Sequence, residues 1–158
     1  PVLTLTNVKG YAADVRSEKS IAKAVAKLTY AFANANVPKV NVITGEAYGS
    51  AYVTMNSKAL GADVTYAWPD ASIGMMDANE AAKIMYADDI AKSADVQSVI
   101  SEKAAEYAAL QSGVESAAAR GYVDTIINPE DTRKYVAAAF EMLYTKREDR
   151  PDKKHGTV

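Results

Sequence analysis

The stretch GEAYGSAYVTMNSKALGAD, Gly45 to Asp63, crowds small residues into its first half: Gly45, Ala47, Gly49, Ser50 and Ala51. A β-branched run precedes it and a helical pattern follows. At such a junction the amides of the first helical turn have no partner inside the helix. The helix N-terminus adds partial positive charge, and small side chains leave that backbone open. A junction of this kind can hold an anion or stabilise a developing oxyanion. Two phosphate-binding patterns are excluded, because no Lys follows the second glycine as in G-x-x-x-x-G-K-[ST], and G-x-G-x-x-G does not occur. On spacing alone, tight helix–strand packing is the stronger reading of the small residues.

Other chemistry is thinner. Ser50 lies between Gly49 and Ala51, not inside the G-x-S-x-G elbow of a serine hydrolase. The single histidine, His155, sits in a charged tail and makes a poor general base. With no cysteine there is no thiolate nucleophile, disulfide framework or Cys-ligated metal. Asp88 and Asp89 are adjacent, so on a helix they diverge and cannot chelate one ion. No metal site is expected. Trp68-Pro69 reads first as a core Trp at the end of a strand, and second as an extended backbone lining a cleft. Met75 and Met76 read as core. Tyr48 and Tyr52 flank the small-residue turn, with packing as the default and a pocket wall as the lesser reading.

The elements that must position these residues follow from periodicity. Val2 to Val8 alternates as a strand, and a polar loop turning at Gly10 follows it. Ser17 and Ser20 precede a helix carried by Ile21, Ala24, Val25, Leu28 and Phe32. Lys39 to Thr44 is a β-branched strand. The junction comes next, with a helix expected over Ser50–Leu60 and Gly61 as its terminating glycine. Ala62–Trp68 and Ala71–Met76 are extended, and Asp77 caps a helix running to Tyr86. Ala94–Leu110 is helical, and Val114–Ala119 resumes after a break at Gly113. Gly121–Ile127 reads as a strand. Asn128 and Pro129 open a last helix with acids in its first turn. This order is α/β.

The chain has 158 residues, 49% hydrophobic and 24% charged, with a formal net charge of −2. That suits one domain of ordinary composition. Nothing in it attracts nucleic acid. No apolar run reaches the roughly 18 residues of a membrane span. The chain opens PVLTLTN, without Met and directly in a strand pattern, which leads us to expect a piece of a longer polypeptide. Residues 1–145 are expected to form the lobe and residues 146–158 a charged, loosely held tail.

The segment PKVNVITGEAYGSAYVTMNSKALGADVTYAWPDASIGMM resembles the C-terminal half of the carboxyltransferase subunits of biotin-dependent acyl-CoA carboxylases, such as the propionyl-CoA carboxylase β type. It equally resembles the related acyl-CoA decarboxylase α subunits. The matching pieces are Val37-Pro38-Lys39-Val40, Ile43-Thr44, Ala47-Tyr48-Gly49-Ser50-Ala51-Tyr52, Ser57-Lys58, Leu60-Gly61-Ala62-Asp63 and Ala67-Trp68-Pro69. AAARGYVDTIINPEDTR and the terminal KKHG add to them in the right order, so the likeness spans nearly the whole chain.

The resemblance implies a crotonase-like fold of stacked strand–strand–helix units and a parent subunit of two lobes. The N-terminal lobe, absent here, would bind acyl-CoA, and this lobe would bind carboxybiotin. The active site would form between lobes of different subunits. It implies backbone amides of Ser50 and Ala51 on the biotin oxygen, Gly49 freeing the turn, and Tyr48, Tyr52, Val53, Trp68 and Pro69 around the pocket. By the same resemblance, charge develops on the biotin oxygen as CO₂ leaves, the biotin nitrogen takes a proton from the carbon next to the thioester, and the enolate attacks CO₂. The partners implied are acyl-CoA, a biotin carboxyl carrier protein, the N-terminal lobe and further copies in a homo-oligomer. The biotin-attachment sequence is missing, so biotin arrives on the carrier. A cytoplasmic location follows, with membrane association only through partners if the enzyme is a decarboxylase.

Three departures stand out. Ser50 replaces the family's second glycine. Val53 stands where carboxylases often carry an acid linked to acyl preference. DVRSEKSIAKAVAKL replaces a run rich in Gly, Ile and His. These lean towards the decarboxylase-type branch. A self-contained enoyl-CoA hydratase or isomerase and a non-catalytic assembly module stay open as alternatives.

Overall fold

A computed structural model describes residues 1–151 of the chain. Five strands form one sheet: β1 (Val2–Val8), β2 (Lys39–Tyr48), β3 (Val64–Ala67), β4 (Ser72–Gly74) and β5 (Thr125–Ile126). The path is β1-β2-β3-β5, with β4 also on β2, and every strand pairing is parallel. Parallel neighbours need crossovers. The first is α1 (Val15–Asn34), and α2 (Gly49–Thr54) follows β2 directly. The remaining helices are α3 (Ala78–Met85), α4 (Ala87–Lys92), α5 (Val96–Tyr107), α6 (Val114–Ala119) and α7 (Thr132–Met142). The α/β order read from the sequence is the order found.

β2 organises the fold. Its first half, Lys39–Ile43, is wholly buried and lies between β1 and β3. Its second half leaves β3 and pairs Glu46–Tyr48 with β4. The expected Lys39–Thr44 strand is therefore longer, and it runs straight into the small-residue junction. Side chains alternate along it. Val40 and Val42 join Tyr66, Ile127, Val136 and Ala139 in a core against α7. Ile43 and Ala47 join Tyr52, Ile73, Val114 and Ala117 in a second core beside α2 and α6.

Between the apolar groups a polar strip crosses three strands. Thr4, Asn41 and Thr65 occupy matching register positions. Asn41 Oδ1 accepts from Thr4 Oγ1 at 2.9 Å and from Thr6 Oγ1 at 2.8 Å. Asn56 reaches down onto this strip, donating to Thr4 Oγ1 at 3.3 Å and to the Val40 carbonyl at 3.4 Å. It does so with a left-handed backbone, φ 54°, which asparagine tolerates better than most residues.

That contact explains the largest departure from the expected elements. The helix expected over Ser50–Leu60 stops at Thr54 and resumes only as a 3₁₀ turn at Lys58–Leu60. Thr54 Oγ1 bonds back to the carbonyls of Ser50 and Ala51, and Ser57 Oγ to that of Val53. These side chains compete with helical backbone bonding, and Asn56 turns the chain towards the sheet. Gly61 does end the segment, at φ 98°.

Smaller corrections have local causes. α1 begins at Val15, earlier than Ser17, because Asp14 caps it, accepting from the Arg16 and Ser17 amides at 2.9 and 2.8 Å. The Gly121–Ile127 strand shrinks to Thr125–Ile126, paired with Tyr66 and Ala67, because the Thr65 amide next along β3 is taken by the Asp124 carboxylate at 2.8 Å. α5 ends in a π-helical segment, Ala108–Ser112, before the expected break at Gly113. The start of the tail is tied down: Lys146 Nζ pairs with Asp63 Oδ1 at 2.8 Å. His155 and the KKHG motif lie outside the described residues.

Candidate active site

Two glycines of the opening stretch have different jobs. A Cβ on Gly45 would lie 2.8 Å from Asn7 Oδ1, the atom that accepts from the Glu46 amide at 3.0 Å. Gly45 is therefore packing: it lets Asn7 tie β1 to β2. Gly49 is the turn. Its φ is +60°, and a Cβ there would meet the Met75 carbonyl at 2.9 Å. Only glycine combines that backbone with that approach.

Gly49, Ser50 and Ala51 are the first three residues of α2, and Tyr48 precedes them in extended conformation. The Tyr48 side chain does not cap the helix. The first-turn amides thus have neither an intrahelical acceptor nor a side-chain cap.

Beside this turn lies a cleft of about 430 Å³, within the range of small-ligand sites, roughly 300–1,000 Å³. Gly49, Ser50, Tyr52 and Val53 form one wall. Ile73, Gly74 and Met75 from β4 and the residue after it form another. Ala117, Arg120 and Tyr122 from the end of α6 close it. Among the described residues the lining is mostly apolar, holds no carboxylate and carries one cation, Arg120.

Of the expected site residues, Gly49, Ser50, Tyr52 and Val53 come together at this cleft. The Ala51 side chain is buried on the other flank of α2, facing a groove of about 270 Å³ under α1 with Thr54 and Met55. Tyr48 is buried before the turn and does not line the cleft. Trp68 and Pro69 do not line it either. Trp68 packs against the α7 core, and its Nε1 donates to Thr132 Oγ1 at 2.9 Å. Pro69 is exposed on the turn leaving β3.

Several lining residues were not expected. Met75, read as core, is 76% exposed at the cleft. Arg120 and Tyr122 sit inside the AAARGY motif, whose types gave no hint of a site. A wider depression of about 840 Å³ lies between α1 and Glu148–Pro151. None of its lining residues belongs to the junction.

The Tyr52 hydroxyl is buried and has no hydrogen-bond partner among the described residues. Burial, with a smaller contribution from Tyr122, pushes its pKa up to about 12. The phenol is therefore a neutral donor across the ordinary pH range. Among the described residues no cluster of three His, Cys, Asp or Glu side chains is placed to hold a metal.

The carboxyl transferase domain model matches residues 1–158. A putative propionyl-CoA carboxylase β chain of Bacillus subtilis is 48% identical over all of this chain. The methylmalonyl-CoA decarboxylase subunit α of Propionigenium modestum is 43% identical, again over all of it. In each case the chain spans 31% of the relative's length. Among solved structures, a transcarboxylase 12S hexamer with methylmalonyl-coenzyme A bound superposes with a TM-score of 0.92. That match has 42% identity and covers 98% of this chain and 30% of the other. The fold is that of the crotonase-like carboxyltransferase domains, and the chain belongs to the carboxyl transferase domain family.

Proposed function

We propose that this chain is the biotin-binding lobe of a carboxyltransferase that moves a carboxyl group between biotin on a carrier protein and an acyl-CoA. The observation that supports it most is the cleft itself. It has room for a small bicyclic ring, mostly apolar walls and, at one edge, the uncapped first turn of α2. When bound there, biotin supplies a nitrogen that carries the carboxyl group and an oxygen that gathers negative charge as the carboxyl leaves.

The protein's part is electrostatic. The amides of Ser50 and Ala51 and the positive end of α2 would hold that oxygen, with Gly49 giving the backbone its turn. Such a donor is commonly worth about 10²–10³ in rate. Ile73, Met75 and Tyr122 exclude water around the ring. No side-chain acid or base is called on from this lobe, and the described cleft lining offers no carboxylate or histidine.

The acyl-CoA would be held by a second lobe, so this lobe alone would not transfer. A carrier protein bearing biotin, an acyl-CoA and further subunits are the partners of this reading. A self-contained hydratase or isomerase needs a carboxylate facing its substrate, and no lining residue offers one. The test is decarboxylation of malonyl- or methylmalonyl-CoA with biotin as acceptor. Activity is expected when this lobe is joined to its acyl-CoA lobe and not from this chain by itself. No activity in either form overturns the reading.

Val53, half exposed on the cleft wall, is the position through which the acyl preference is expected to be set. In the joined enzyme, Val53→Asp should change the ratio of kcat/KM between acetyl- and propionyl-CoA severalfold. An unchanged ratio removes Val53 from that role.

A further inference from the structure

The cleft contains one feature that stabilising a biotin oxygen does not require. Among the described residues Arg120 is its single charged lining residue, and no carboxylate pairs with it. An unpaired arginine is ordinary at a surface, but this one is held in place. Its Nη2 donates to Gln111 Oε1 at 2.8 Å and to Ser116 Oγ at 2.7 Å. The Ser116 hydroxyl is itself committed, donating to the Leu110 carbonyl at 3.3 Å. Gln111 and Leu110 belong to the π-helical segment, an insertion type that recurs at functional sites. Both Nη2 protons are thus used to fix the fork. Nε and Nη1 have no acceptor among the described residues.

A guanidinium fixed at one corner, with free donors beside an apolar cleft, suits a carboxylate. A cleft with one cation, no acid and apolar walls selects a mostly apolar molecule bearing one anionic group. Biotin joined through an amide to its carrier is neutral, and it gains a single carboxylate when it is loaded. Resting on the carboxyltransferase reading above, we propose that Arg120 receives the carboxylate borne by the biotin nitrogen, so that the cleft distinguishes the loaded carrier from the empty one. Arg120 makes and breaks no bond. It is a binding residue for the charged form, and Gln111 and Ser116 position it.

The experiment uses the two-lobe enzyme and measures dissociation constants by calorimetry, cold and at mildly alkaline pH. The probes are a biotin amide, the same amide carboxylated on its ring nitrogen, and methylmalonyl-CoA. Removing one charge-assisted hydrogen bond in Arg120→Gln should weaken the carboxylated amide about tenfold or more. The uncarboxylated amide and methylmalonyl-CoA should stay within about twofold. Arg120→Lys should recover part of the affinity, and Gln111→Ala should weaken binding by an intermediate amount. Equal weakening of both biotin amides, or no weakening, overturns the proposal while leaving the carboxyltransferase reading in place. Weakening confined to methylmalonyl-CoA overturns it in favour of the acyl group's carboxylate. Failure of the unmutated enzyme to bind either amide removes the parent reading itself.

Discussion

Gly49 carries two demands that no other residue type meets together, a φ of +60° and an approach of 2.9 Å to the Met75 carbonyl. Gly49→Ala should therefore destabilise by about 2 kcal/mol or more, the left-handed cost plus the displaced strand. Two other glycines separate those terms. Gly121 has φ 81° with open space around it, so Gly121→Ala should cost about 1 kcal/mol. Gly10 has neither constraint, and Gly10→Ala should fall within about 0.5 kcal/mol of the parent. Urea midpoints at an unchanged m-value report all three. Equal costs would place the special turn elsewhere.

Tyr52 gives a second local test. Its pKa is raised by burial to about 12, above the ordinary tyrosine value of 10. The folded state therefore holds this proton longer than the unfolded state. The stability linked to it is complete below pH 10 and is lost as pH rises towards about 12. Tyr52→Phe should flatten that alkaline loss. It should also be neutral or slightly stabilising at neutral pH, because a buried hydroxyl without a partner is removed. A large loss at neutral pH would reveal a partner for the hydroxyl. Such environments were hidden in the sequence: Tyr48 and Tyr52 look alike there, yet only Tyr52 reaches the cleft. Arg120 was hidden for the same reason, since its role depends on Gln111 and Ser116 folding back on it.

Among the elements, those fixed by strong periodicity or caps were legible in the sequence: β1, β2, α3 under Asp77, α6 after Gly113 and α7 after Pro129. Those fixed by tertiary contacts were not. α2 is cut short by Asn56 reaching the sheet, and β5 is limited where the Asp124 carboxylate takes the Thr65 amide. The C-terminal end of α1 also depends on a distant residue. Lys39, fully buried, donates from Nζ to the Phe32 carbonyl at 2.8 Å and so satisfies the last turn of that helix. Burial holds its pKa below the ordinary lysine value. Lys39→Met should cost little globally, since it removes a buried cation along with the bond. It should speed amide exchange in the last turn of α1.

Asp63 binds two segments at once. It accepts from the Lys39 amide at 2.8 Å and from Lys146 Nζ at 2.8 and 3.0 Å. Burial lowers the Lys146 pKa, but hydrogen bonds to Asp63 and Glu148 outweigh it and leave the value raised. That contribution is present below the ordinary lysine pKa and lost as pH rises through the raised one. Asp63→Ala should cost about 2 kcal/mol, less than a fully buried pair would. The double change Asp63→Ala with Lys146→Ala should cost less than the sum of the two single changes, because they share the Asp63–Lys146 pair, while Lys146 also contacts Glu148 and the Val37 carbonyl. Additive losses in that cycle would show that the Asp63–Lys146 pair itself contributes no coupling.

Taken as one body, the chain spans about 30% of its relatives' lengths, and its cleft borders the uncapped first turn of α2 with no carboxylate or histidine among the described lining residues. No helix among the described residues is long and apolar enough to cross a membrane. The cleft and the shared fold support the proposal of a lobe that completes its chemistry with another. The family was legible because several motifs occur in order. The cleft was only half legible, because spacing could not say that Gly49 borders it while Gly45 packs on Asn7 and the Ala51 side chain faces α1. The direct test is carboxyl transfer from methylmalonyl-CoA to biotin in the two-lobe enzyme carrying Ala51→Pro, which removes one amide donor, compared with Ser50→Ala, which keeps its own. With folding verified by the urea midpoint, Ala51→Pro should lose about 10²–10³ in kcat with KM for the acyl-CoA unchanged, and Ser50→Ala should stay within about threefold. Undiminished turnover in Ala51→Pro would contradict the assignment of this turn as the biotin oxyanion site.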